Sequence, residues 1–491
     1  MNRFLCLILT PLVCAGWVVA APPEFQDNES FDEFRVRWNV WVGSLPKDQA
    51  SLDELTRLLE ELENHLRDSD KPWGWDVMLK AEPGNEYWEY APRVFEDHRD
   101  LFDLINQASR GSNLALPIPE FDGNDESVMT PFDQVAEQLN SSSFKVYDIV
   151  SPLCEHAMYL AYTGEVDAAI DRFETIVIVH ERTVMLPTII NSMIRRGISE
   201  SVRNCVFELL YSWEEVGFSD EQLARLQQLL LRMEPEPLGP IIAFENRVNR
   251  ETWHAMYVDD KYDMDYEFML REAALMIEEF FEPVPPILPT LDPIPDVPLA
   301  SPDAQYERVQ AISAAFMKDL ADGSPMQEMI HVVPAYIEQF GTEDEIDRYT
   351  IAYQHTRLWR VILGFQWREK YRNFNAQVVI ALHRHRVRHS DWPETLDDIE
   401  PEVLSLPAID LFNGKPLGYE VVNGQPWLYG FGIDRDDDGG RPIRSREFDG
   451  PSKTYLSWLA LDELNALSEI QREAYDGDVL IYQSVNPDYD D

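Results

Sequence analysis

The sequence predicts a mostly α chain, an irregular helical array followed by a small α+β C-terminal module with a short antiparallel sheet. Apolar residues recur at helical spacing from Phe31 to about Phe281, and again from about Asp303 to His389. Eight prolines between 282 and 302 interrupt the two helical runs. Beyond His389, short apolar runs alternate with Pro, Gly and Asn, which is the grammar of strands and turns. The organisation that follows is a leader over 1–20, a helical region over 21–282, a linker over 283–302, a second helical region over 303–374 and an α+β module over 375–491. A chain of 491 residues has room for two or three cores.

The leader has one positive charge at Arg3, an uncharged apolar stretch and small residues at Ala20 and Ala21. That is the layout of a secretory signal peptide, with Val18 and Ala20 in the small-residue positions before cleavage. An uncleaved N-terminal membrane anchor is the minor alternative, because the uncharged run reaches Pro23. Leu12-Val13 precede Cys14, where lipidation needs a small residue. No later segment is apolar enough to span a bilayer. Export to the periplasm or the extracellular space is the expectation.

Within the helical region, Ser51 precedes Leu52-Asp-Glu-Leu, with Glu54 placed to complete a capping box. Ser219-Asp-Glu-Gln repeats the device with Gln222, and Leu223, Leu226, Leu229 and Leu230 then share one helix face. Gly164-Glu165 breaks one helix and starts another, a repeat-like helix–turn–helix junction without a clean 34-residue period. The prolines of the 283–302 stretch remove backbone donors and favour an extended spacer. The longest helix is expected over 346–389. Gly418-Tyr-Glu-Val-Val422 and Trp427-Leu-Tyr-Gly-Phe431 flank Asn423-Gly424, a hairpin signal, and Asp478-Val-Leu-Ile-Tyr482 reads as a last strand. A helix is expected over about 456–473.

Acidic residues number 89 against 41 basic ones, a net charge of −48. Such a surface repels nucleic acid and anionic lipid and argues against both as partners. It suits a salty medium, where screening weakens self-repulsion. Cys6 and Cys14 lie in the leader, so Cys154 and Cys205 form the mature pair. A disulfide and two buried thiols are both open from the sequence.

Around the C-terminal module the signals become specific. A long helix runs into Trp392-Pro-Glu-Thr-Leu396, then Asp410-Leu-Phe-Asn-Gly-Lys-Pro-Leu417, a hairpin, and the loop Asp434-Arg-Asp-Asp-Asp-Gly-Gly440. This order resembles the C-terminal half of the major pseudopilin of type II secretion. There the helix ends in a Tyr-Pro-x-x-Leu-like turn and a later Gly-Gly loop binds calcium. The resemblance covers roughly the last quarter of the chain. The matching helix is internal here, so assembly into a pseudopilus is not implied. Phe218-Ser-Asp-Glu-Gln-Leu223 joined to this ending also resembles secreted proteins of planctomycete type.

Asp434, Asp436 and Asp438 fall at positions 1, 3 and 5 of a Ca²⁺ loop, with Gly439 at 6 and the Gly440 carbonyl at 7. A hard cation takes six to eight oxygens, and alternate residues of a tight loop turn their carboxylates inward. Position 12 is Ser445, which excludes an EF-hand, and Glu447 is the nearby carboxylate that compensates. The competing reading is a solvated acidic turn. A phosphatase-type Asp-x-Asp nucleophile is disfavoured because Asp437-Asp438 follow the second carboxylate. His383, His385 and His389 look like a metal cluster, and the last two are one helical turn apart. Arg384, Arg386 and Arg388 interleave, so the reading taken from sequence is a basic, solvated helix end favourably placed at the C-terminal dipole. Trp38, Trp41, Trp73 and Trp75 read as core ahead of a glycan platform. No Gly-x-Ser-x-Gly, His-Glu-x-x-His or phosphate loop is present. Two functions follow. One is an extracytoplasmic, non-enzymatic interaction or structural protein with a protein partner in the cell envelope. The other is a secreted hydrolase with its site in the helical region.

Overall fold

A computed structural model describes residues 29–44, 52–67, 91–111, 144–182, 186–233, 237–258, 299–321, 348–405, 407–410, 414–422, 424–431 and 479–483, with 83, 88, 118, 235 and 261–262. Among the described residues the chain is mostly helical with a small antiparallel sheet at its C-terminal end. The leader, the spacer over 283–298, the expected helix at 456–473, Ser51, and Trp73 with Trp75 lie outside the described residues. Among those described, no helix is long and apolar enough to cross a membrane.

The array begins with α1 (Phe31–Ser44), α2 (Leu52–Arg67), α3 (Ala91–Phe95) and α4 (Arg99–Gly111). Trp38 and Trp41 are buried, as core tryptophans should be. The first N–H of α1 would be an orphan, but Phe31 N–H donates to both carboxylate oxygens of Glu251 at 3.0 and 2.9 Å. Next come α5 (Phe144–Tyr162), α6 (Val166–Arg182) and α7 (Ile189–Tyr211), which pack against one another. Gly164 stands at φ 87°, the left-handed region that closes a helix cheaply only with glycine. Glu165 N–H then donates to Leu160 O at 2.7 Å, tying off α5 as α6 begins.

The short α8 (Trp213–Val216) leads into α9 (Asp220–Leu231). The predicted capping box forms: Gln222 N–H donates to Ser219 Oγ at 3.2 Å, and Ser219 N–H to Gln222 Oε1 at 3.0 Å. All four leucines of the predicted face are buried. Helix α10 (Leu238–Met256) stops earlier than the apolar periodicity suggests. Tyr257-Val258 (β1) instead pairs with Lys261-Tyr262 (β2), antiparallel. Aromatic and β-branched residues at 257, 258 and 262 favour an extended ladder over further helix, and the wider periodicity concealed that.

After α11 (Pro302–Ala321), the long helix α12 spans Thr350–His389, about 60 Å at 1.5 Å per residue. It passes 374/375 without a break. Ala352 N–H donates to Gln305 of α11 at 3.0 Å, whereas Gln377 Nε2 donates to Gln227 O of α9 at 3.3 Å. Helix α12 therefore links the two helical regions. Ala376 through Leu382 are buried all round, which explains why this stretch is apolar on every face. Each Val, Ile or Leu there contributes about 1.5–3 kcal/mol on burial.

The expected hairpin forms as β3 (Gly418–Val422) and β4 (Gln425–Gly430), with Gly424 at φ 79° in the turn. The expected last strand, β5 (Val479–Gln483), adds to β4, giving a sheet of order β3-β4-β5 with antiparallel neighbours. Gly418 sits opposite Tyr429, whose ring would lie 2.1 Å from a Cβ at that position. Only a glycine lets the ring lie across the strand.

Candidate functional site

The predicted calcium ligands Asp434, Asp436, Asp438, Gly440 and Glu447 lie outside the described residues. What is described is the platform from which their segment departs. Asp410 is fully buried, and its carboxylate accepts the Phe431 N–H at 2.8 Å. Its own N–H donates to Lys415 O at 2.7 Å, and Gly414 N–H donates to Asp410 O at 2.8 Å. Asp410 is thus tied to Gly414 and Lys415 and clamps the end of β4. Helix α12 backs the clamp: a Cβ on Gly430 would lie 2.4 Å from the Tyr371 hydroxyl. Burial, then the charge of Asp410, push the Tyr371 phenol well above its usual range.

The C-terminal end of α12 is sorted by side. His383 is buried between Trp213 and Trp392, with ring centroids 5.6 and 5.1 Å away, and burial holds its imidazole down to about 3. Arg384 Nε donates to Asp220 Oδ1 at 2.7 Å, and Arg388 Nε and Nη2 donate to Asp220 Oδ2 at 3.0 and 2.9 Å. Burial alone raises the Asp220 carboxyl, but these two guanidinium groups outweigh it and hold it below the usual range. Asp220 is the first residue of α9, where a carboxylate also meets the favourable end of the helix dipole. Arg386 turns to the Ser390 carbonyl at 2.5 Å and lies over the Trp392 ring at 5.7 Å.

The solvated helix end expected from sequence is therefore corrected for His383 and Arg384, which are both buried. Alternating histidine and arginine conceals a helix whose inner face meets α8 and α9 while the outer face meets the following turn. Ser390, at φ 62°, reverses the chain there. Trp392 folds back on the helix, and Tyr419 Oη donates to Pro393 O at 3.0 Å. The Trp-Pro-Glu-Thr-Leu motif is thus a packed turn.

That turn brings Glu400 to the remaining histidines. His389 Nε2 lies 2.6 Å from Glu400 Oε1, and His385 Nδ1 lies 3.7 Å from Glu400 Oε2. The two imidazole centroids are 4.3 Å apart. The bond from His389 is the chief cause that lowers the Glu400 carboxyl below its usual range. Sequence reasoning found the histidine pair by its one-turn spacing but missed Glu400. The available signal was a turn-rich segment eleven residues past His389, long enough to reverse onto the last helical turn.

Other buried ionisable groups close joints between helices, and His180, Arg203 and Glu369 share one of them around Ser199. Glu245 of α10 accepts the Ile189 N–H at the start of α7 at 2.8 Å, and burial raises it to about 7. His355 of α12 sits 2.9 Å from Asn246 of α10, whose amide donates to Ser313 of α11 at 2.7 Å. His180 of α6 lies 3.3 Å from Ser199 of α7. His156 of α5 stacks on Phe95 of α3 and packs beside Phe102 of α4. Arg203 of α7 faces Glu369 of α12 at 3.7 Å. Cys154 of α5 and Cys205 of α7 are buried free thiols, and their mutual hydrogen bond, then burial, push Cys154 well above the usual thiol range.

No protein-family model, curated protein or solved structure matches the chain.

Proposed function

We propose that this chain is an extracytoplasmic, non-enzymatic interaction or structural protein of the cell envelope, whose C-terminal pseudopilin-like module is stabilised by Ca²⁺ at Asp434, Asp436, Asp438, Gly440 and Glu447. The observation that carries the reading is that the perturbed ionisable groups are buried inside the joints between helices. Glu245, His355 and His156 sit in separate helix–helix joints, while His180, Arg203 and Glu369 share the joint of α6, α7 and α12 around the buried Ser199. A hydrolase needs such groups to converge where a substrate can reach them, whereas His180, Ser199, Arg203 and Glu369 are closed off by the helices they join. Buried joints instead rigidify an array, which suits a surface that must hold its shape against a partner. The clamp of Asp410 on Phe431 supports the calcium part, because a fixed strand end limits the entropy lost when the segment beyond it closes on an ion.

The test is reconstitution of the purified full chain with one purified envelope protein, with and without Ca²⁺. The reading expects a stable complex and a calcium-dependent rise in melting temperature that Asp436→Asn weakens. Turnover of a substrate by the purified chain, abolished by one conservative substitution in the helical region, contradicts it.

A further inference from the structure

We propose that His385, His389 and Glu400 form a binding site for a transition-metal dication of the zinc class, at the junction between the long helix and the turn that follows it. The two histidines lie one turn apart on α12, so both imidazoles reach the same outer flank. Glu400 arrives from the folded-back turn. One ligand atom from each of the three residues lies within 4.8 Å of the others. Bonds of about 2.0–2.2 Å to a central ion require those atoms to draw together by roughly another 1 Å. His389 is half exposed and Glu400 stands in a turn, so both have freedom to close that gap.

Two further observations point to a cation here. His385 Nδ1 and Glu400 Oε2 are buried and make no hydrogen bond among the described residues, yet they face each other at 3.7 Å. An imidazole nitrogen and a carboxylate oxygen are both metal-ligating atoms, and at this distance no hydrogen bond joins them. A dication between them satisfies both. The second observation removes the objection raised by the neighbouring arginines. Arg384 and Arg388 converge on Asp220, and Arg386 is drawn to Ser390 and Asp391. Arg388 approaches Glu400 only to 4.0 Å while facing Glu402 at 3.9 Å, so carboxylates offset its charge.

Two imidazoles and one carboxylate are a zinc-class ligand set, whereas Ca²⁺ takes oxygen ligands alone. Three protein ligands leave a fourth position for solvent or for a side chain of a bound partner. The inference does not depend on the calcium reading, because the two sites share no residue.

The test is a Co²⁺ titration of the chelator-treated full chain in excess Ca²⁺, which occupies oxygen-only sites on the acidic surface. The expected result is one Co²⁺ per chain with the strong visible bands of a four-coordinate ion, displaced by one equivalent of Zn²⁺. His389→Gln, at an exposed position, should weaken binding by at least about tenfold, since loss of a mere supporting contact to a ligand already costs about 10–100-fold. His385→Gln and Glu400→Gln should abolish the bands. If either of those two fails to fold, His389→Gln still decides, with its unliganded melting temperature as the fold control. Multiple weak Co²⁺ ions, or bands unmoved by His389→Gln, mean adventitious binding and overturn the site.

Discussion

Burial of an ionisable side chain leaves a mark that can be measured one residue at a time. His383 between Trp213 and Trp392 is held neutral, its pKa lowered from 6.5 to about 3 by burial. The unfolded chain therefore binds a proton between those two values that the folded chain refuses. Its contribution to stability is present above pH 6.5 and is lost as pH falls toward 3. His156, His180 and His355 act with the same sign. Glu245, raised from 4.5 to about 7, acts in the opposite sense and loses its contribution as pH rises through that window. Comparing a variant with the parent chain cancels these common terms. His383→Phe should flatten the dependence of unfolding free energy on pH between 6 and 4 by up to about 1.4 kcal/mol per pH unit. Denaturant midpoints at several pH values measure it, and parallel slopes would place His383 in contact with water. None of this was legible in the His-Arg alternation, because burial depends on α8 and Trp392 arriving from elsewhere.

Elements followed their local signals closely where the signal was complete within a few residues. Ser219 with Gln222 starts α9, Gly164 ends α5, and Gly424 stands in the turn that leaves Val422 opposite Gln425. Where the deciding contact is non-local, sequence was silent. Glu400 reaches His389 only after the chain reverses at Ser390, and Asp410 clamps Phe431 from another segment. Gly418 is a further case, since only the pairing with Tyr429 reveals why no side chain fits. Gly418→Ala should force the Tyr429 ring out of place and cost about 1–3 kcal/mol, as overpacking does elsewhere. Equilibrium urea unfolding of the full chain checks this. An unchanged midpoint would mean the ring can move freely. At Gly424, where φ is 79° with open space around the Cβ position, the same substitution strains only the backbone.

At the scale of the molecule, α12 binds the parts together. Its first half meets α11, its second half meets α7 and α9, and its end carries the turn that packs Trp392 and presents Glu400. The mostly helical class and the small antiparallel sheet were readable from periodicity and turn residues. The buried polar network that joins the helices was not, since Arg203 and Glu369 lie 166 positions apart in sequence, and nothing local couples them. That pair tests the proposed reading most sharply, in which buried ionisable groups serve to join helices. Burial lowers Arg203 to about 10 and raises Glu369, so desolvation outweighs their mutual attraction even though the two face each other at 3.7 Å. Such a pair destabilises strongly when one member is removed, and much less when both become apolar. The decisive measurement is a double-mutant cycle of unfolding free energies on Arg203→Met and Glu369→Leu. Each single variant should lose about 3–5 kcal/mol and the double variant should recover most of it. A single variant as stable as the parent chain, or more stable, would mark the group as strained for activity and contradict the structural reading.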